Sequence, residues 1–420
     1  MREILYRATF ALGVLLLIPS PAAVADISAV GATHADSELS RFIKTVVESN
    51  PRVQAARSAL NASSSFKDAA SRPLYNPLLT LNAQNSDVET RNLVIGQTID
   101  WAGKREARTA VAESDRLVVE AEYLATRWAV TVELLDGLAQ HQTGVDREAL
   151  AESRRRLMQD FANLAQRRFD AGDLNQVELS LANLASSAAR IQKATAGAGL
   201  AEARQAVRSV IPRVPAAQWP ELPLRMPELP KTASDLQTLV LELPEVVAAR
   251  RQVESADAVV ELRERERRPD PTITVSGGRE GGEDLIGLNV TVPLFVRNRF
   301  NNEVSAAIAQ RSQMQQVADD LTQRAHARLV SAAERYQLAR GAWGDWQLTG
   351  QASLNNQTEQ LQKLWEAGEV STTDYLVQLS QTLNVQEQAL DLRQALWRAW
   401  FEWLWASGMV DEWLGQGANR

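Results

Sequence analysis

Proline placement constrains this chain more than any other feature. Of its 15 prolines, none falls between Leu78 and Ile211 and none after Pro293, while six crowd into Pro212–Pro230. Proline lacks a backbone donor and clashes inside a helix. The two empty tracts therefore admit uninterrupted helices, and the crowded stretch is an extended connector. Both tracts are rich in Ala, Leu, Glu, Gln and Arg, all strong helix formers. Within them Lys104–Asp170 and Arg299–Glu366 each leave room for a helix roughly 100 Å long, at about 1.5 Å per residue. A glycine and a polar restart follow each one, at Ala171-Gly172-Asp173 and Ala367-Gly368-Glu369, the pattern of a helix C-cap and turn. The helices that return, over 174–209 and 370–406, are shorter. Those that precede each strand pair, over 38–71 and 244–268, supply the missing length if they stack end to end on the returning ones.

Two strand pairs precede the long helices. In the first, Leu79, Leu81 and Ala83 alternate with Thr80, Asn82 and Gln84, and Leu93, Ile95, Ile99 and Trp101 oppose Gly96, Thr98 and Asp100. In the second, Ile273 and Val275 alternate with Thr272, Thr274 and Ser276, and Ile286, Leu288, Val290 and Val292 oppose Gly287, Asn289 and Thr291. Strands of roughly nine residues, apolar on one side and small-polar on the other, have the length and period of a transmembrane β-barrel strand. A soluble sheet with one wet face gives the same alternation. A polar loop of about eight residues is expected within each pair. The motifs Pro51–Arg57 and Arg168–Leu174 return as Pro244–Arg250 and Leu364–Val370, roughly 195 positions later, so the chain reads as an internal duplication. The expected division is a signal segment at 1–25, a first repeat at 26–210 (hairpin 77–101, tip at 172), a proline-rich linker at 211–235, and a second repeat at 236–420 (hairpin 271–294, tip at 368). The fold class is mainly α with a small β part. Four strands cannot close a barrel, and open edges are not tolerated in lipid. If the strands sit in a membrane, several chains must share one barrel, and three copies would give twelve strands.

The remaining features bound the function. Arg2 and Arg7 precede the apolar run Phe10–Ile18, and Ala23-Val24-Ala25 offers a cleavage site, so 1–25 reads as a secretory signal. No other stretch is long and apolar enough for a transmembrane helix, which leaves membrane contact to the strands. Cysteine is absent, so there are no disulfides and no lipidated N-terminal Cys. The net charge of -7 argues against nucleic acid as a partner. His34, His141 and His326 are isolated, and no Cys or Met cluster exists for a soft metal, so no metal site or cofactor is expected. Gly277–Gly282 joins two strands and does not open a helix, so it reads as a surface turn and not a phosphate loop. Trp397, Trp400, Phe401 and Leu404 follow helical spacing and should pack on a neighbouring helix. Gly137, Gly144, Gly341 and Gly344 interrupt the long helices and are expected to mark changes of curvature. No nucleophile, base and metal set converges, so an enzyme is not expected. A trimeric adhesive coiled coil would need sustained heptads and would not need the strand pairs.

Taken together, the duplicated strand pairs, the Trp101-Ala102-Gly103-Lys104-Arg105 turn, the run Val292–Arg299 and both Ala-Gly-acid turns resemble a TolC-type outer membrane factor. The Gly-Lys-Arg turn and modest length resemble its CzcC-like heavy-metal efflux branch. The resemblance covers nearly all of the chain beyond the signal segment. It implies a homotrimer with a 12-stranded β-barrel in outer-membrane lipid and an α-barrel across the periplasm. It also implies a periplasmic adaptor (membrane fusion protein) and an inner-membrane RND-type pump as partners. The implied function is a passive exit duct, for divalent heavy-metal cations by branch resemblance; drugs, other organic compounds or type I secretion are the alternative. By the same resemblance Glu178 and Asp374 form acidic rings at a periplasmic gate, and Gly172, Asp173, Leu174, Gly368, Glu369 and Val370 contact the adaptor. The competing reading puts Glu178 and Asp374 on a solvated helix face, and makes Asp173 and Glu369 simple caps favoured by the helix dipole. Arg167, Arg168 and Lys363 lie close enough to offset part of the acidic charge. Some relatives carry a lipidated N-terminal Cys, which this chain lacks.

Overall fold

The computed structural model describes residues 35–415, apart from 86, 212, 224 and 230–235. The signal segment expected at 1–25 and His34 lie outside the described residues. Helix α1 (Ser37–Ser49) starts at Asp36, whose side chain accepts from Glu38 N, and stops at Asn50. Asn50 then caps α2 (Pro51–Ala70), with Pro51 in the first turn, where a missing donor costs nothing. The single helix expected over 38–71 is thus two, because Pro51 cannot continue α1. Strands β1 (Leu78–Gln84) and β2 (Thr90–Thr98) lead into α3 (Lys104–Asp170), whose 67 residues span about 100 Å. After a turn, α4 (Gln176–Val210) returns. The connector holds one 3-10 turn, Ala216–Gln218, and α5 (Leu236–Leu241) follows it. The second half runs α6 (Pro244–Glu266), β3 (Thr272–Glu280), β4 (Glu283–Thr291), α7 (Asn301–Asp345), α8 (Gln351–Glu366), α9 (Thr372–Ser407) and α10 (Val410–Trp413).

The helix expected over 299–366 is interrupted by a π-helical turn, Trp346–Gly350, between α7 and α8. A Cβ on Gly350 would fall 2.2 Å from the Trp346 ring, so the indole lies directly over this glycine. An insertion of that kind breaks the regular ladder of a long helix. Gly137 and Gly144 sit where α4 crosses closest to α3. A Cβ on Gly137 would stand 3.2 Å from Val207 Cγ2, and one on Gly144 3.2 Å from Leu200 Cδ1. They let α3 and α4 approach closely.

Helix α3 is the spine. Along its first part it packs between α2 and α6, through Lys67–Glu113 (3.0 Å), Arg52–Glu133 and Ser255–Asp115. Along its second part it packs between α4 and α9, through Lys193–Glu152 (3.6 Å), Arg147–Asp391 and Arg393–Asp146. Helix α7 follows α6 and then α9. The short helices do stack end to end. Asn50 Nδ2 donates to Val210 O at 3.1 Å where α2 meets α4, and Gly408 at the end of α9 sits against Leu243 at the start of α6.

The main core lies at this joint. Trp128, Leu134, Leu135, Val207, Leu243, Leu329, Tyr336, Trp397, Trp400, Phe401 and Leu404 are buried there in one cluster. The Trp397–Leu404 ridge therefore packs inside its own chain, each large side chain contributing about 1.5–3 kcal/mol by leaving water. The proline-rich connector lies across this core. Tyr336 donates its hydroxyl to Pro227 O, Arg340 pairs with Glu228 at 2.8 Å, and Leu222 N donates to Gln142 Oε1 at 3.1 Å.

Among the described residues the four strands form one antiparallel sheet in the order β1-β2-β3-β4, with β1 and β4 at open edges. The polar loops are shorter than expected. Strand β3 extends through Gly277 and Gly278 to Glu280, and only Gly281 and Gly282 separate it from β4. Both have positive φ (58° and 98°), the backbone of a two-residue hairpin turn that matches strand twist.

Candidate functional site

The sheet is built the wrong way round for water. Pairing aligns Leu79, Ile95, Val275 and Leu288 in one row across all four strands, and Leu81, Leu93, Gly277 and Ile286 in the next. Ile273 and Val290 continue the same face. These side chains are exposed, Ile95 at 51%, Leu288 at 73% and Ile286 at 91%. The opposite face carries Thr98 and Thr272, whose hydroxyls lie 2.9 Å apart, with Asn92, Thr274, Ser276 and Gly96, and in β2 and β3 that polar face is the more sheltered one. A soluble sheet with one wet face would bury the apolar side. Among the described residues no helix is long and apolar enough to cross a membrane.

Where the sheet meets α3, the Gly-Lys-Arg turn is a structural elbow. Asp100 caps the helix, accepting from Lys104 N at 2.8 Å and Arg105 N at 2.7 Å. Gly103 adopts φ +70°, and a Cβ there would come within 2.6 Å of the Arg265 guanidinium, which donates to Gly103 O at 2.7 Å. Lys104 is buried, its Nζ 3.0 Å from Asp270 Oδ2, and the same oxygen accepts from Tyr75 OH at 2.7 Å. Burial, then the hydrogen bond to Asp270, pushes the Tyr75 phenol up to about 12. Lys104 and Asp270 come from opposite halves of the chain, so this cluster clamps the halves together at the sheet. The sequence carries no local signal that pairs them.

The two helix-turn-helix tips are built alike. At the first, Gly172 (φ +86°) donates to Phe169 O at 3.0 Å and Asp173 N to Arg168 O at 2.8 Å. At the second, Gly368 (φ +77°) donates to Trp365 O at 3.0 Å and Glu369 N to Leu364 O at 2.9 Å. Both are Schellman closures, in which a left-handed residue lets the last carbonyls find donors. The next helix then starts with its own cap. Asn175 Oδ1 accepts from Val177 N at 2.9 Å and Glu178 N at 3.0 Å, while Glu178 Oε2 accepts from Asn175 N at 3.1 Å. At the second tip Asp374 N donates to Ser371 Oγ at 3.1 Å, and that hydroxyl donates to Asp374 Oδ2 at 2.7 Å. The caps expected at Asp173 and Glu369 are therefore provided by Asn175 with Glu178 and by Ser371 with Asp374. A side chain must lie just before the helix, not in the turn, to reach its first free amides.

Gly172, Asp173, Gly368 and Glu369 are exposed at the tips, while Leu174 and Val370 are half-buried against a second core. That core joins the two hairpins through Phe161, Trp365 and Tyr375, with ring centres 4.5 to 5.2 Å apart. Arg168 stands 4.9 Å over the Trp365 ring, so its charge is engaged there. Glu178 is half-exposed and Asp374 exposed.

His141 meets Trp219 edge-on at 4.7 Å, and burial, then nearby Arg204, lowers its pKa. His326 is exposed. Among the described residues no group of three or more His, Cys, Asp or Glu side chains gathers in a way that could hold a metal ion.

The fold defined by these elements is that of known outer-membrane channels. The Campylobacter jejuni CmeC outer membrane channel superposes with a TM-score of 0.74 at 15% identity, over 88% of this chain and 85% of that one. The outer membrane protein VceC of Vibrio cholerae gives 0.72 at 17% identity, over 89% and 96%. In sequence, the chain is 25% identical over 284 residues to the cobalt-zinc-cadmium resistance protein CzcC of Cupriavidus metallidurans, covering 64% of this chain and 68% of that protein. No protein-family profile matches. These likenesses support the TolC-type outer membrane factor family.

Proposed function

We propose that this chain is one protomer of a trimeric exit duct for an efflux system, set in the outer membrane and extending through the periplasm. The observation that carries the reading is the continuous, exposed apolar face of the four-stranded sheet, together with its two open edges. Lipid accepts such a face, and edge pairing of β4 with the β1 of a second copy removes the unpaired backbone groups. Three copies close twelve strands into one barrel. Strands β2, β3 and β4, nine residues each against seven in β1, come close to the length that a bilayer requires, about 9–11 when tilted. The polar face of hydroxyls, amides and glycines then lines the lumen, and the long helices extend the wall into the periplasm. The repeated order of elements is the product of an internal duplication, with repeats at 26–210 and 236–420 joined by the linker at 211–235, behind an export signal at 1–25.

In this reading the tips face the inner membrane. Gly172, Asp173, Leu174, Gly368, Glu369 and Val370 meet a periplasmic adaptor, which links the duct to an RND-type pump. Glu178 and Asp374 occupy equivalent third positions of the returning helices. Three copies of each gather as acidic rings around the closed end, so the same carboxylates serve as caps and as gate charges. Cation preference follows from such rings. The cargo is divalent heavy-metal cations, a reading supported by the likeness to CzcC and by the acidic tip. Apart from Glu280 and Glu283 at the hairpin end, the polar sheet face is uncharged and also suits organic compounds, which with type I secretion are the alternative cargo for the same duct.

A strain lacking the chain, challenged with a panel of metal salts and organic toxins, tests this. Loss of resistance to divalent metals alone, restored by the intact gene, is the expected result. Loss of resistance to organic compounds alone overturns the metal assignment, and unchanged resistance and export throughout overturns the duct.

A further inference from the structure

Between the main core and the second core at the tips, small residues hollow out a space among α3, α4 and α9. Gly144 on α3, with Ala196 and Gly199 on α4, borders a cavity of about 450 Å³ that Leu383 of α9 closes on one side. A Cβ on Gly199 would meet no atom within 4 Å, so the space in front of it is open. The volume falls within the range of roughly 300–1,000 Å³ typical of small-molecule sites, and three helices contribute to its walls.

Two charges of each sign border the cavity: Arg147 and Arg154 from α3, Glu202 from α4 and Glu387 from α9. Arg147 is engaged by Asp391. Among the described residues, the side chains of the other three make no hydrogen bond or ion pair. Arg154 is half-buried, and burial, opposed in part by the charge of Glu387, lowers its pKa. Its guanidinium has thus lost water that no hydrogen bond of the chain replaces. Glu387 is the carboxylate whose charge Arg154 feels, so an unpaired positive pole and an unpaired negative pole stand near each other.

This lining decides the charge of the ligand. A purely anionic molecule would meet Glu202 and Glu387, and a purely cationic one would meet Arg154. A molecule with a carboxylate and an ammonium group side by side, as in an amino acid, satisfies both poles by charge-assisted hydrogen bonds. Its apolar remainder covers Ala196 and Leu383. We propose that this cavity is a binding site for a zwitterionic amphiphile with an amino-acid headgroup, its carboxylate on Arg154 and its ammonium group on Glu387. Helices α3 and α4 belong to the first half of the chain and α9 to the second, so a bound molecule bridges the two helical hairpins between their cores. The site lies within one chain and stands independently of the duct.

The purified full chain in a non-ionic detergent is titrated into three forms of one fluorescent amphiphile, followed by anisotropy. These are Nε-dansyl-lysine, its anionic Nα-acetyl form and its cationic methyl ester. The expected result is saturable binding of the zwitterion, with both singly charged forms at least about tenfold weaker, as the loss of one charge-assisted hydrogen bond implies. Gly199→Leu fills the cavity and should abolish binding. Gly197→Leu, whose Cβ also meets open space but lies off the cavity, should leave binding unchanged. Arg154→Gln should weaken the zwitterion and the acetyl form but not the ester, and Glu387→Gln the zwitterion and the ester but not the acetyl form. Thermal melts of each variant confirm that the fold is kept. Equal binding of all three probes, binding that survives Gly199→Leu, or no saturable binding of the zwitterion overturns the proposal.

Discussion

Placing arginine on either side of the sheet separates a lipid-facing surface from a wet one. Ile95 lies near the middle of β2, in the row Leu79–Ile95–Val275–Leu288, and is 51% exposed. Val290 occupies the same face close to the end of β4 and is 58% exposed. Thr98 and Asn289 project from the opposite face. At about 3.3 Å per residue, the nine residues of β2 span roughly 30 Å, so in the proposed barrel Ile95 reaches bilayer depth. A cation at the midplane of such a barrel costs about 2–4 kcal/mol, falling to about 0–1 near the interfaces. In the proposed trimer, threefold repetition would raise the Ile95→Arg penalty to about 6–12 kcal/mol per barrel, comparable to the whole stability of about 5–15 kcal/mol typical of a folded protein. Ile95→Arg should therefore abolish most assembly and Val290→Arg reduce it less. Thr98→Arg and Asn289→Arg should assemble nearly normally, since in the proposed barrel their charges would reach water in the lumen. The readout is the fraction of heat-dissociable oligomer in purified outer membranes. Equal loss from both faces, or no loss from Ile95→Arg, would refute the assignment of the faces.

Three further outcomes follow from the elbow and the tips. Lys104→Ala leaves Asp270 buried without its cation and should destabilise the chain by about 3–5 kcal/mol in denaturant titration, whereas Lys104→Met with Asp270→Asn should recover much of the loss. Tyr75 titrates near 12, above the 10.0 of a free tyrosine, so its contribution is complete below pH 10 and drains away as pH rises towards 12. Tyr75→Phe should lose that alkaline step in a stability-against-pH profile, and an unchanged profile would show that the phenol does not hold Asp270. Glu178→Gln with Asp374→Asn removes charge, and Gln can still fill the capping box. Oligomer yield should be unchanged while cation preference and block by multivalent cations from the periplasmic side both weaken in planar bilayers; unchanged selectivity and block would assign the carboxylates to capping alone.

Long elements were legible because their signals are local and repeated. The proline-free tract after Leu78 located α3 from Lys104 to Asp170, and the alternation of Leu79–Ala83 and Ile273–Val275 located two strands. Interruptions were less legible. Pro51 ended α1 although the apolar pattern runs through it, and the π turn at Trp346–Gly350 leaves no periodicity to read. Gly281-Gly282 formed a tighter hairpin than polar composition suggested, because both residues accept positive φ. At the tips, Glu178 and Asp374 were singled out, yet their partners Asn175 and Ser371 were missed, although Asn three positions before Glu is the readable sign of a capping box. The Tyr75–Asp270–Lys104 cluster could not be read at all. Its members are far apart in sequence, and only the pairing of β2 with β3 brings them together.

The most direct test of the duct is the mass of the membrane-inserted protein. Native mass spectrometry of protein extracted from outer membranes, released from detergent or nanodiscs, counts the chains in one particle. The account predicts three chains per particle, because β1 and β4 of a single copy remain unpaired in lipid. A stable monomer embedded in lipid, with both edges open, would contradict it.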